Sequence, residues 1–272
     1  MGNLQLSLSE YLNERKEKKG YVFVPYLTVA DPDWEVSLNL VDALIESGAD
    51  TIELGLPFTD PVADGPILQK VFKRVIEQGF TLEKFFNFLG KIKQKHPDFP
   101  LMVMGYANIF HRHGFSKILN KLHKLNVRGV VIPDVPIEEK LRLVKNENLS
   151  AILDKVAWID FVTPTTTGDR LEAVGKQARG FIYFVSTKGV TGQSDFHIAP
   201  WKKLIRLTKQ KSHTPVLIGF GIRKKEHVKE AIGVADGFII GSRIHEIIEQ
   251  NLKNPSRIIK DIKSEIKNLL PS

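Results

Sequence analysis

The sequence predicts an α/β fold: a (β/α)8 barrel formed as one domain over residues 1–272, with an extra helix before the first strand. Three observations predict it. Short β-rich apolar runs alternate with longer amphipathic stretches along the chain, the pattern of βα units around a parallel sheet. Eight such runs occur, most of them continuously apolar, as expected for strands covered on both faces. No linker rich in Pro, Gly or Ser divides the 272 residues. Eight units in one uninterrupted chain fit a closed barrel better than a doubly wound sheet, which usually has fewer strands.

The elements follow in chain order. Ser7-Leu8-Ser9-Glu10 reads as a capping box for the extra N-terminal helix. The first strand is Val22–Thr28. A helix over Trp34–Ser47 then starts from a cap at Asp33, sets Val36, Leu40, Leu44 and Ile45 on one face, and stops at Gly48. The second strand is Thr51–Leu54, and a helix beginning near Ile67 follows its loop. Another helix, capped by Thr81, carries Leu82, Phe85, Phe86, Leu89 and Ile92 at helical spacing. The remaining strands are Leu101–Gly105, Gly129–Ile132, Trp158–Val162, Phe181–Ser186, Val216–Gly219 and Gly237–Ile240. Asn254-Pro255 opens the last helix as a cap followed by proline at its first position.

Composition narrows the function. Hydrophobic residues make up 42% of the chain and charged residues 26%, which supports a large core. The absence of cysteine excludes thiolate nucleophiles, Cys-ligated zinc and iron–sulfur clusters, and fits a cytoplasmic location. No apolar run approaches the ~18 residues of a spanning helix, and Met1–Gln5 shows no export signal, so no membrane role is expected. The net charge of +8 comes from scattered cations such as Lys202, Lys203, Arg206 and Lys209, whose helical spacing reads as a solvated face. Nucleic-acid binding would want aromatics interleaved with a basic stripe. Here the aromatics sit in apolar runs, and the positive field instead suits a small anion.

Barrel chemistry sits where strands end and βα loops begin. Alternation along Thr51-Ile52-Glu53-Leu54-Gly55 turns Ile52 and Leu54 toward the helices and Glu53 into the barrel. A carboxylate there is either structural, bonded to a neighbouring strand, or a proton-transferring group with a raised pKa. Asp64 closes the shaped loop Thr59-Asp60-Pro61-Val62-Ala63-Asp64-Gly65-Pro66 and either caps the next helix or faces the same mouth as Glu53. Two carboxylates in different environments can divide acid and base work. Asp60 reads as a turn or partner-contact residue.

Glycines cluster after the last three strands, in Lys188-Gly189-Val190-Thr191-Gly192, Gly219-Phe220-Gly221 and Gly241-Ser242. Loops there, with a helix N-terminus, form the recurrent phosphate site of such barrels. None completes a GxGxxG or Walker loop, so a nucleotide is disfavoured. Tyr26, Tyr106, Tyr183 and Phe220 lie near strand ends, where they either pack the barrel or wall an aromatic pocket. His111-Arg112-His113 lacks a third ligand at a metal spacing and reads as a polar loop; no metal site is expected.

The run Glu53-Leu54-Gly55-Leu56-Pro57-Phe58-Thr59-Asp60-Pro61-Val62-Ala63-Asp64-Gly65-Pro66 closely resembles the signature of tryptophan synthase α subunits. Val24–Thr28 with Asp31-Pro32, Tyr106-Ala107-Asn108, Asp134-Val135-Pro136, Gly189–Gly192, Gly219–Ile222 and Gly241-Ser242 occur in family order across nearly the whole chain. The resemblance implies retro-aldol cleavage of indole-3-glycerol phosphate to indole and glyceraldehyde 3-phosphate. It assigns proton shuttling to Glu53 and a grip on the indole N–H to Asp64. Tyr183 matches an active-site tyrosine; Gly192, Gly221, Gly241 and Ser242 match the phosphate grip, and Thr191 a mobile-loop hydroxyl. It also implies a β subunit in an α2β2 tetramer. Pyridoxal phosphate would belong to that partner, with no cofactor in this chain and Thr59, Asp60 and Pro61 facing the interface. Ser186-Thr187-Lys188-Gly189 stands where the family pattern has Ser-Arg-Ser-Gly, and Asn146–Gly168 matches poorly. The alternatives are another phosphate-binding barrel and a noncatalytic binding subunit.

Overall fold

The computed structural model describes residues 6–185, 196, 198–219 and 221–271. Its parallel strands are β1 (Val22–Thr28), β2 (Ile52–Gly55), β3 (Leu101–Met104), β4 (Val127–Val131), β5 (Ala157–Trp158), β6 (Asp160–Val162), β7 (Ile182–Val185), β8 (Val216–Gly219) and β9 (Gly237–Ile240). They run in the order β5-β4-β3-β2-β1-β9-β8-β7-β6. Eight strands were predicted, and the ninth segment arises because the predicted Trp158–Val162 run is split at Ile159. β5 pairs with β4 while β6 pairs with β7, so one run touches both ends of the sheet and closes it into a barrel. Across the break, the Ile159 N–H still donates to the Val130 carbonyl at 2.9 Å.

A buried lysine sits at the split. Lys140 lies on the helix Ile137–Asn146, and its Nζ donates to both Asp160 carboxylate oxygens at 2.7 Å and to the Trp158 carbonyl at 2.9 Å. Both charged residues are buried. A side chain thus satisfies strand groups at the point where the run changes partners.

Alternation sorts the apolar residues into two cores. Phe23, Leu27, Ile52, Leu54, Leu101, Val103, Ile218 and Phe238 pack against the helices. Val22, Val24, Tyr26, Met102, Met104, Leu217 and Ile239 fill the barrel. The extra helix is present as α1 (Leu8–Lys19), with the capping box formed at Ser7 and Glu10. Its Leu8 and Leu12 belong to the interior core. Its basic face grips two buried aspartates at strand starts: Arg15 meets Asp50 at 2.7 Å and Lys16 meets Asp236 at 2.6 Å. These aspartates also accept from the Phe23 and Val216 N–H groups, so α1 is tied to the lower rim of the barrel.

The predicted caps at Asp33 and Thr81 accept helix N–H bonds. Asn254 precedes Pro255 at the start of the last helix but makes no side-chain cap bond. Two readings change. Lys209 is not simply solvated, since it meets Asp236 at 2.9 Å. His111-Arg112-His113 is the last turn of the helix Ala107–His113, where the His111 ring packs edge-on against Phe115.

Removing one partner of a buried ion pair strands the other charge. Lys140→Met is therefore expected to lose roughly 3–5 kcal/mol in denaturant unfolding, and adding Asp160→Leu should recover most of it. Unchanged unfolding of the single variant would mean that the pair does not hold the break.

Candidate active site

The barrel mouth opens into a cleft lined by Tyr26, Glu53, Asp64, Phe161, Tyr183 and Gly241. Glu53 comes from β2, in register with Tyr26 on one side and Met102 on the other, and faces inward as alternation requires. It is 2% exposed, and its Oε2 has no hydrogen-bond partner among the described residues. The purely structural reading asked for a bonded neighbour, and this oxygen has none. Asp64 enters from the loop above. The next helix, Pro66–Glu77, has Gly65 as its N-cap with no side-chain cap, so Asp64 does not serve as one. Its carboxylate instead accepts the Tyr106 hydroxyl proton at 2.5 Å. Tyr106 Oη in turn accepts from the Ala63 N–H, and Gln69 Nε2 bonds the Asp64 carbonyl, which together fix the loop end.

Environment separates the two acids. Burial, reinforced by the charge of Asp64, raises the Glu53 carboxyl to about 8. Burial raises Asp64 only to about 6, because the Tyr106 hydroxyl favours its ionised form. At neutral pH the pair therefore presents a protonated Glu53 and an ionised Asp64. Burial holds Tyr26 and Tyr183 protonated, with their hydroxyl pKa values well above the ordinary range.

The predicted aromatics divide. Tyr26 and Tyr183 line the cleft, whereas Tyr106 is fully buried, stands behind Asp64 and stacks on Phe58 at 4.9 Å. Each lining tyrosine lies across a glycine of the neighbouring strand. A Cβ at Gly55 would fall 2.0 Å from Tyr26 Oη, and one at Gly219 would fall 2.3 Å from the Tyr183 ring. Glycine at these strand ends makes room for the rings.

Gly221, Gly241 and Ser242 all line the cleft. Gly241 is the N-cap of the helix Ser242–Gln250 and offers no side-chain cap; the Ile244 and His245 N–H groups donate to the Gly241 carbonyl, which leaves the Ser242 and Arg243 N–H groups as the helix-start donors that can face an anion. Thr191, Gly192 and Phe220 lie outside the described residues, as does Ser186–Gly189. Thr59, Asp60 and Val62 are exposed and Pro61 is half-buried, on the loop that leads down to Asp64.

Sequence reasoning missed several lining residues. Phe161 stacks obliquely on Tyr183 at 5.1 Å, and Met104, Val131 and Ile239 complete the apolar walls. Arg223 also lines the cleft, with its guanidinium on Glu246. Its position two residues after Gly221 was a readable signal. Among the described residues, no cluster of three His, Asp or Glu is placed to hold a metal.

Glu53 generates a stability prediction. A folded-state carboxyl raised from 4.5 to about 8 binds more protons than the unfolded chain between those values, so stability falls as pH rises through that window. Glu53→Gln should therefore unfold at higher denaturant than the wild type above pH 8, by roughly 2–4 kcal/mol. The advantage should vanish below about pH 4.5. Equal stabilities at pH 9 would contradict the buried-acid assignment.

The geometry can be set beside known proteins. The sequence profile described as tryptophan synthase alpha chain matches residues 12–270. The tryptophan synthase alpha chain of Escherichia coli O157:H7 is 38% identical over 259 residues, covering 95% of this chain and 94% of its own. That of Leptospira borgpetersenii is 37% identical over 235 residues, covering 86% and 88%. The solved tryptophan synthase subunit alpha from Campylobacter jejuni superposes with a TM-score of 0.78 at 30% identity, covering 94% of this chain and 98% of that one. A chain of the tryptophan synthase complex from Pyrococcus furiosus gives 0.77 at 28% identity, covering 91% and 97%. With matching motifs, matching fold and a profile spanning nearly its full length, this chain belongs to the tryptophan synthase alpha chain family.

Proposed function

We propose that this barrel, acting as one domain over residues 1–272, cleaves indole-3-glycerol phosphate to indole and glyceraldehyde 3-phosphate by using Glu53 as the proton carrier and Asp64 as the indole anchor. The family is that of a lyase in tryptophan biosynthesis. The observation that carries the division of roles is the split between the two acids, about 8 and about 6. Protonating indole C3 breaks the ring's aromaticity and places positive charge on its nitrogen. Glu53, protonated at neutral pH and buried, is suited to deliver that proton. Ionised Asp64, held by Tyr106, is suited to accept the N–H and stabilise the charge in a poorly solvated cleft. Glu53, once ionised, takes the proton of the glycerol hydroxyl as the carbon–carbon bond breaks, so the proton balance closes.

The other walls supply binding. Gly221, Gly241 and Ser242 grip the phosphate with backbone N–H groups and a hydroxyl, with Gly192 assigned to the same grip by the family resemblance. Arg223 adds positive field to the cleft. Tyr26, Tyr183 and Phe161 wall the indole pocket and Tyr106 acts through Asp64; Phe220 and the Thr191 hydroxyl are assigned to the site by the family resemblance. The Thr59–Asp60–Pro61 tip, with Thr59 and Asp60 exposed and Val62 75% exposed beside them, suits contact with a β subunit in an α2β2 assembly. That partner holds the pyridoxal phosphate and receives the indole, and the reaction assigned to this chain needs no cofactor of its own. A cytoplasmic location fits this role. No helix among the described residues is long and apolar enough to cross a membrane.

The deciding assay measures glyceraldehyde 3-phosphate release from indole-3-glycerol phosphate, with and without a β subunit. Slow cleavage that accelerates with the partner is the expected result. Glu53→Gln should lower turnover by about 10²–10⁴ while phosphate-ligand binding persists. Unchanged turnover would remove Glu53 from the chemistry.

A further inference from the structure

A buried polar chain joins the two halves of the site, and the mechanism above does not use it. It begins at Thr28, the last residue of β1. The Thr28 N–H donates to His245 Nε2 at 3.2 Å, and the Thr28 hydroxyl donates to Tyr26 Oη at 3.3 Å. A backbone N–H can only donate, so Nε2 carries the lone pair, and the ring proton sits on Nδ1. His245 Nδ1 then donates to Asp31 Oδ2 at 3.0 Å. The other Asp31 oxygen accepts from Arg74 Nε and a terminal guanidinium nitrogen at 2.9 and 2.7 Å. Arg74 completes the circuit on Glu249 at 2.7 Å. Thr28, Asp31 and His245 are each 0% exposed.

The helices on which these residues lie give the network its meaning. His245 and Glu249 sit on Ser242–Gln250, whose N-terminus carries Gly241 and Ser242. Arg74 sits on Pro66–Glu77, which begins two residues after Asp64. Asp31 and Thr28 belong to the end of β1 and its loop, and the His245 ring meets Tyr26 edge-on at 5.7 Å. The helix presenting the phosphate groups, the helix following the indole-binding acid and a wall of the cleft therefore share one set of hydrogen bonds.

We propose that His245, through Asp31 and Arg74, is a positioning residue that sets the separation between the phosphate-gripping helix and the Asp64 loop, so that one ligand can engage both ends at once. This rests on the phosphate and indole assignments above. Binding of either end alone does not depend on their separation. A ligand carrying both ends gains its affinity from holding them at one distance, an effective-concentration advantage that is lost when the ends drift.

The test uses three probes titrated calorimetrically into the full chain: inorganic phosphate, indole, and an uncleavable indole joined to phosphate by a three-carbon chain. His245→Leu removes both ring hydrogen bonds. Arg74→Lys keeps a cation on Asp31 but gives up the fork that also reaches Glu249, and it decides the matter if the first variant does not fold. Expected is about tenfold weaker binding of the linked probe, with phosphate and indole each within twofold of wild type. An unchanged affinity for the linked probe would overturn the proposal, as would equal losses for all three probes, which mark general loosening. If wild type binds neither phosphate nor the linked probe, the phosphate assignment itself falls, and this inference with it.

Discussion

Glu53 is a carboxyl group held inside a barrel, 2% exposed and with one oxygen unpartnered among the described residues. Burying a carboxyl disfavours its charged form, and the neighbouring charge of Asp64 adds to that effect. A strand position that turns its side chain inward sets this group away from water. Register, barrel closure and the packing of the mouth all bear on the environment that keeps its proton in place at neutral pH. Asp64 shows the contrast. It is nearly as buried, but a hydroxyl partner favours its ionised form, so two similar acids carry different protonation states.

The barrel holds this arrangement from both ends. Below, α1 plugs the interior with Leu8 and Leu12 and ties Asp50 and Asp236 with its basic residues. Above, the Thr28–His245–Asp31–Arg74 chain links elements that lie far apart in sequence. On the walls, Gly55 and Gly219 accept the rings of Tyr26 and Tyr183, so the aromatic lining is seated in the sheet itself. Lys140 and Asp160 pair at the seam where the sheet closes, next to Phe161, whose ring packs on Tyr183 of the adjoining strand.

Much of this was legible because its causes are local. Apolar periodicity located the strands, with Val22–Thr28, Val216–Gly219 and Gly237–Ile240 matching residue for residue. Alternation placed Glu53 inside, and capping chemistry marked Ser7, Asp33 and Thr81. Gly221, Gly241 and Ser242, marked by their position after late strands, line the cleft. The ion pair beside the split at Ile159 was hidden because Lys140 lies 20 residues away from Asp160. Tyr106 was read as a possible wall because nothing in its neighbourhood announces that its hydroxyl bonds a carboxylate 42 residues earlier. His245 had no local signal at all: its partners are 214 and 217 residues distant.

By itself, the sequence determined the fold class, the inward carboxylate, the glycines that line the cleft and the family motifs. Each is written in spacing along the chain, through strand alternation, helix periodicity and backbone freedom. Only the tertiary structure decided which acid holds its proton, which tyrosine lines the cleft and which supports Asp64, and how the helix Ser242–Gln250 is tied to the helix that follows Asp64. Those properties depend on desolvation and on hydrogen bonds between distant segments, and they arise only when folding removes water and brings those segments together.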